Sequence, residues 1–289
     1  MTNSPVLSPE HSAISLRELT TFEEYIECVN IQKETWGEAF EEWVPTAVLK
    51  VSQKVGGIVA AAYDQKDRML GFVFGLTGMK DGLPVHWSHM LAVRKEARGQ
   101  GVGKRLKLYQ RDLLLARGVR VAYWTFDPLV AKNANLNLNG LGALVSEYVK
   151  DMYLHSSSNL HFGMSMDRFI VAWHLDSEHV QNALARRQIF DAGAFLQTPV
   201  VNTQQESDGS FLPVERELRS LPHFRVEIPS NIEEIKSQQS ALAVQWRANT
   251  RRLFFWCQEH DYSVQGFYID PNSKRYFYCL ARPAKDSGH

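Results

Sequence analysis

The spacing of apolar positions along this chain changes repeatedly, and each change marks an element. Residues 14–19 (ISLREL) predict a short strand, with Thr20-Thr21 as the cap of a following helix. In FEEYIECVNIQKETWG, Phe22, Tyr25, Ile26 and Val29 recur at helical spacing. A second short helix is predicted from Pro45 to Val55, where Gly56-Gly57 breaks it. Two apolar runs, GIVAAAYD and MLGFVFGLTG, flank the polar Gln65-Lys66-Asp67-Arg68 and predict an antiparallel hairpin. VHWSHMLAV (85–93) predicts a third strand of the same sheet. A glycine-rich turn follows at 98–103, then the amphipathic helix KRLKLYQRDLLLARG, ending at Gly118. VRVAYWTFD predicts a strand up to Asp127-Pro128, residues 130–153 a helix, and FIVAWHL (169–175) a further strand. The order β-α-α-β-β-β-α-β-α-β is a mixed α/β plan.

The pattern changes after Leu175. A helical segment is predicted over 178–192, a polar loop over 202–210 (NTQQESDGS) and a strand at FRVEIP. IEEIKSQQSALAVQWRANTRRLFFWCQEH predicts one long amphipathic helix. YSVQGFYID and KRYFYCLAR predict a hairpin around Pro271-Asn272-Ser273. No internal repeat is visible. The expected organisation is a disordered lead-in over 1–13, a first domain over 14–176, and an extension over 177–289 packed on it.

Composition narrows the class. Lys+Arg and Asp+Glu are both 32, so the formal net charge is zero, which argues against a general nucleic-acid binder. A local basic cluster remains, formed by Arg94, Lys95, Arg98, Lys104, Arg105 and Lys107. Cys28, Cys257 and Cys279 are odd in number and far apart, so neither a disulfide framework nor a metal site is expected. The polar N-terminal stretch lacks the pattern of a signal peptide, and no apolar run reaches membrane-spanning length. A cytoplasmic protein with no membrane partner is expected.

The strongest local signal is LAVRKEARGQGVGKRLK. A strand runs into Arg98-Gly99-Gln100-Gly101-Val102-Gly103, and a helix starts at once. Glycines allow positive φ and close backbone approach. The helix start offers unpaired N–H groups and the positive end of its dipole, together an anion site for a pyrophosphate. Arg98, Lys104 or Arg105 would add charge. A Walker A loop fails, because Gly103-Lys104 is followed by Arg105 rather than Ser or Thr. The dinucleotide fingerprint fails too, because the glycines stand at 99, 101 and 103.

Arg98 to Gly103 resembles the R/Q-x-x-G-x-G/A motif of the GNAT superfamily of acyl-CoA N-acyltransferases, and the order over 14–175 is similar to that superfamily's plan. Asn133 and Leu141-Gly142 resemble its next helix. The longer string from SHMLAV to DRFIVAW, with the C-terminal pattern, looks like a bacterial subgroup of which some members are associated with N-succinylamino-acid racemases. The resemblance implies a twisted mixed sheet flanked by helices, an α/β fold with a C-terminal α/β extension. It implies acetyl-CoA or another acyl-CoA as co-substrate, with no metal. It also implies that Leu91, Ala92 and Val93 hold the pantetheine arm, that 98–104 hold the pyrophosphate, and that Asn133 contacts the arm or its thiol end.

Acyl transfer to an amine needs a neutral amine, a stabilised oxyanion and a protonated leaving thiolate. With strand alternation, Trp87, His89, Leu91 and Val93 share a face, and His89 is the candidate base, with packing in the strand as its alternative. The resemblance implies a tyrosine as thiolate acid, and Tyr148 and Tyr153 qualify by position. Asp127, at a strand end, either binds the acceptor's ammonium or caps the following helix. Arg168, Arg247 and Arg251 are candidates to clamp a carboxylate. The reading is transfer of an acetyl or succinyl group to a small-molecule amine, an amino acid being one such acceptor, by a monomer or homodimer. The alternatives are a non-catalytic CoA-binding module or a protein N-acetyltransferase.

Overall fold

The computed structural model describes residues 14–38, 40–153 and 166–282. The lead-in expected over 1–13 lies outside the described residues. Packing divides the chain into two compact units between Arg120 and Val121. The boundary expected at 176/177 follows the family plan, whereas this division follows the packing.

The first unit forms as the apolar pattern predicts. Strands β1 (Ser15–Glu18), β2 (Ile58–Tyr63), β3 (Met69–Lys80) and β4 (Leu83–Val93) pair in that order, each antiparallel to the last. Helix α1 (Phe22–Trp36) starts at a reciprocal cap between Thr21 and Glu24, and α2 (Thr46–Lys54) follows Pro45. Tyr25, Cys28 and Ile31 of α1 and Leu49 of α2 join Val59, Phe72, Phe74, Met90 and Ala92 in one buried cluster. These residues fix the sheet face that α1 and α2 cover. Helix α3 (Val102–Ala116) contacts β2, β3 and β4.

Strand β4 departs from simple alternation. Phe74 pairs with Met90 but Gly75 pairs with Ser88, so His89 is the extra residue of a β-bulge. The bulge shifts the face by one position. Leu91 and Val93 therefore share a face with Ser88 and His86, towards α3, and Trp87 does not. The predicted common face of Trp87, His89, Leu91 and Val93 is thus broken, because one inserted residue inverts the parity.

In the second unit, β5 (Val121–Phe126), β7 (Arg168–His174) and β6 (Leu144–Val149) form one antiparallel set in the order β5-β7-β6. The helix predicted over 130–153 stops at Gly140. A single turn, α4 (Ala131–Ala134), runs into a π-turn over Asn135–Gly140, and LVSEYV forms β6. Gly142 ends the helical path. Its φ is 69°, and a Cβ there would meet the Ala183 methyl at 2.8 Å. Beyond it, valine and tyrosine favour a strand.

Helix α5 (Glu178–Leu184) is shorter than the predicted 178–192, and the polar 202–210 stretch is part of a ribbon, β8 (Thr203–Gln205) with β9 (Phe211–Pro213). β10 (His223–Ile228), β12 (Tyr276–Ala281) and β11 (Ser263–Ile269) form a three-stranded antiparallel sheet. The predicted long helix is two, α6 (Ile232–Gln238) and α7 (Ser240–Glu259), separated by Gln239 at φ −143°. Phe254 of α7 meets the Phe169 ring of β7 at 4.7 Å and the Tyr278 ring of β12 at 5.6 Å. That aromatic packing ties β7 to the C-terminal segment, and it is why packing groups β5 to β7 with residues beyond 176. No helix among the described residues is long and apolar enough to cross a membrane.

Candidate functional site

The turn between β4 and α3 has the predicted backbone. Gly99 and Gly101 lie at φ 81° and 77°, and a Cβ at either would meet nothing within 4 Å. The conformation therefore requires glycine, while the space beside it is open. No side chain caps α3. Arg105 N–H reaches Gly101 C=O at 3.0 Å, so the N–H groups of the first turn precede any intrahelical acceptor. Gln100 Nε2 folds back onto Glu96 C=O at 3.0 Å, and Arg98 Nε donates to Val93 C=O at 2.9 Å. A dipole end with open N–H groups, nearby cations and no competing side-chain cap suits a pyrophosphate.

The six-residue basic cluster does not form one patch. Lys95 and Arg98 are exposed and Lys104 is half-buried beside the turn. Arg94 is paired with Glu27 and with Glu34 at 3.3 Å, and Arg105 Nη2 donates to Ile14 C=O at 2.5 Å. Lys107 points inward and is 4% exposed. Sequence adjacency hid this, because consecutive helical positions face different ways.

Lys107 starts a buried chain of polar groups that sequence reading missed. Its Nζ donates to Ser88 Oγ at 2.7 Å, and Ser88 Oγ donates to Gln110 Oε1 at 2.9 Å. Gln110 Nε2 donates to His86 Nε2 at 3.0 Å. His86 Nδ1 donates to Thr77 Oγ1 at 3.0 Å, and Thr77 donates onward to Gly56 C=O at 2.8 Å. This tautomer is the one that satisfies every partner. Burial, with Lys107 and Arg117 nearby, pushes the His86 pKa down to about 3, and burial pushes Lys107 down to about 7. The only sequence signal is polar residues at the alternate positions 86 and 88 of β4 and at 107 and 110, about one turn apart on α3.

A pH dependence follows from His86. The folded imidazole stays neutral down to about pH 3, whereas an unfolded one binds a proton near 6.5. The unfolded chain therefore binds the extra proton between those values, and stability falls as pH drops through that window. The slope from this group is at most about 1.4 kcal/mol per pH unit. Urea unfolding of wild type and His86→Gln between about pH 7 and about pH 4 should show a flatter profile for the variant. Parallel profiles would remove His86 from the account.

His89, the bulge residue, is half-buried and meets the Phe74 ring edge-on at 5.9 Å. Burial lowers its pKa, so it is neutral at pH 7 and able to accept a proton. Leu91 and Val93 line the start of α3. A Cβ on Gly103 would sit 3.6 Å from Leu91 and 3.8 Å from Val93. Ala92, on the other face, is buried under α1 and α2.

In the second unit, Asn133 is half-buried in α4, and its N–H donates to Val130 C=O at 2.9 Å. Tyr148 lies on β6 rather than a helix, 4% exposed, and its hydroxyl donates to Asp167 Oδ2 at 2.6 Å. Burial and that carboxylate raise its pKa, which commits the hydroxyl to the core. Tyr153 is half-buried, with its hydroxyl 3.3 Å from Thr125 Oγ1.

Asp127 is buried and is not an open ammonium site. Its Oδ2 accepts from Arg247 at 2.5 Å and lies 3.8 Å from Arg168, while Oδ1 accepts from Leu129 N–H at 2.9 Å. Burial opposes its ionisation, but Arg247 and Arg168 outweigh that and lower its pKa. Arg251 likewise serves internal carboxylates. Its Nε donates to Asp167 at 2.8 Å and its Nη2 to Asp151 at 2.9 Å. The three cysteines are buried and free, and burial raises each thiol, Cys279 to about 12. None is poised as a nucleophile. Among the described residues no group of His, Cys, Asp or Glu is placed to hold a metal ion.

Residues 18–136, less than half of the chain, match the family model described as the acetyltransferase (GNAT) family. That segment holds β4, the turn and α3. No curated protein matches the chain. Among solved structures, the chain is similar to the ribosomal-protein-S18-alanine N-acetyltransferase from Escherichia coli, at 16% identity and a TM-score of 0.44, over 57% of this chain and 95% of that one. The N-acetyltransferase from Staphylococcus aureus Mu50 gives 14% identity and 0.45, over 57% and 100%. Arabidopsis thaliana Naa50, solved with the bisubstrate analogue CoA-Ac-MVNAL, gives 13% and 0.44, over 55% and 97%.

Proposed function

We propose that this protein is an acyl-CoA-dependent N-acetyltransferase, a reading supported by the match of residues 18–136 to the acetyltransferase (GNAT) family model, and that its acceptor is the primary amine of a small molecule, an amino acid foremost. The observation that supports the donor assignment best is the uncapped start of α3 behind two left-handed glycines. In this reading Arg98, Gly99, Gln100, Gly101, Val102, Gly103 and Lys104 cradle the pyrophosphate. Backbone of Leu91, Ala92 and Val93 pairs with the pantetheine arm, and Asn133 meets its thiol end.

His89 takes the proton of the acceptor's ammonium, directly or through a water. Its lowered pKa keeps it unprotonated at pH 7. The freed amine attacks the thioester carbonyl; as the intermediate collapses the carbon–sulfur bond breaks, Tyr153 protonates the leaving thiolate, and the proton lost by the new amide nitrogen returns through solvent to the Tyr153 phenolate. Tyr153 is preferred to Tyr148, whose hydroxyl is already given to Asp167. Acetyl is the proposed donor group, with succinyl the finer alternative.

Thiol release from acetyl-CoA, screened against free amino acids, other small amines and short peptides, tests the acceptor class. Release with small amines and none with peptides is expected; release with peptides alone would reverse the assignment. His89→Gln and Tyr153→Phe should each lower kcat by roughly 100-fold while CoA affinity holds. Tyr148→Phe should keep kcat and lose about 1 kcal/mol of stability. An unchanged kcat for His89→Gln between about pH 6 and about pH 9 would remove it as the base.

A further inference from the structure

A guanidinium carries five N–H donors and remains charged in a folded protein. Arg247, on α7, is 4% exposed. Its Nη2 donates to Asp127, but its Nε and Nη1 are buried without a hydrogen-bond partner. Those two nitrogens hold three of the five donors. Buried charged donors left unmade are destabilising, so such an arrangement in a native core calls for an acceptor.

The charges around Arg247 say what kind of acceptor. Arg168 Nη1 lies 3.8 Å from the same Asp127 oxygen. The other contacts of Arg168 are uncharged, the Asp167 C=O at 3.1 Å and Met166 Sδ at 3.8 Å. Among the described residues Asp127 is thus the one carboxylate within ion-pair distance of both guanidiniums. The neighbouring Asp167 is occupied elsewhere, by Arg251, the Tyr148 hydroxyl and the Asp151 N–H. Asp167 acts on both guanidiniums only at longer range, and the donors of Arg247 stay open. A small oxyanion would satisfy them. Arg168 also lies 5.6 Å over the ring of Tyr153, the residue assigned above to protonate the thiolate.

Resting on the N-acetyltransferase reading, we propose that Arg247, with Arg168 beside it, binds a carboxylate of the substrate. That carboxylate belongs either to the acceptor, as in a free amino acid, or to a dicarboxylic acyl group on the donor. Asp127 is then a positioning residue. It holds the Arg247 guanidinium by one nitrogen and leaves the other two to the ligand.

Steady-state kinetics on wild type, Arg247→Met and Arg247→Lys separate the sources. One arm uses acetyl-CoA with amino acids and their matched carboxamides; the other compares succinyl-CoA with acetyl-CoA on an uncharged amine. In one arm wild type should favour the carboxylate member, and Arg247→Met should raise KM for it by roughly 30-fold or more. The uncharged member should keep its kinetics, and Arg247→Lys should recover part of the loss. A wild type indifferent to the carboxylate in both arms, or a preference that survives in Arg247→Met, overturns the proposal while leaving acetyl transfer intact.

A binding arm stands without turnover. Amino acids and succinate at millimolar concentration should raise the melting temperature of wild type and not that of Arg247→Met. No carboxylate-dependent rise in wild type would overturn the proposal whether or not any transfer is observed. If Arg247→Met does not fold, the same comparison is read with Arg247→Lys.

Discussion

Replacing Gly101 with valine should weaken CoA binding on the order of 100-fold, roughly 2.8 kcal/mol. Gly101 sits at φ 77°, with nothing within 4 Å of the Cβ it lacks. The new side chain therefore meets no protein atom; it meets whatever occupies the mouth of α3. A β-branched residue held left-handed also costs about 1–2 kcal/mol of stability. Gly118 supplies the control, since its φ is 76° and its Cβ position is equally open. Gly118→Val should carry a similar stability loss and bind CoA like wild type. Equal CoA affinity in both variants, read by the melting-temperature rise that CoA produces, would mean that the turn holds no pyrophosphate.

Arg251→Ala should destabilise the second unit by about 3 kcal/mol and spare CoA affinity. The side chain is 23% exposed, so solvent screens part of the loss, but its partner Asp167 is 0% exposed. Removing the cation leaves that carboxylate buried with only the Tyr148 hydroxyl and the Asp151 N–H. Asp167→Asn in the same chain should restore part of the stability, because an amide needs no counter-charge. Urea unfolding of the single and double variants reads this directly. A single variant as stable as wild type would remove the ion pair from the stability account.

Much of the fold is legible in the sequence because local signals agree with tertiary packing. The Thr21–Glu24 cap, the polar break at 65–68, and glycines 99 and 101 each announce a backbone event on their own. Residues 130–153 mislead because apolar spacing there fits a helix, while Gly142 is needed for the approach of α5. The bulge at His89 leaves no periodic trace; it appears only when β3 and β4 are set in register.

Of the candidate site, the turn could be read and the side-chain roles could not. Whether Arg251 faces a substrate or Asp167 depends on a pairing across 84 residues of chain. Lys107 looks like surface charge in a linear basic run, yet α3 turns it under β4 onto Ser88. Arg247 stands apart from Arg251 only through donors left without partners, a property of the packed state alone.

The most direct test of the account follows the acetyl group itself. Wild-type protein is incubated with acetyl-CoA carrying an isotopic label in the acetyl group and with a panel of small amines, and the products are read by mass spectrometry. The account predicts labelled acetyl on an amine nitrogen and free CoA in equal amounts. Thioester left intact with every acceptor, or cleaved with the label appearing only as acetate, would contradict it.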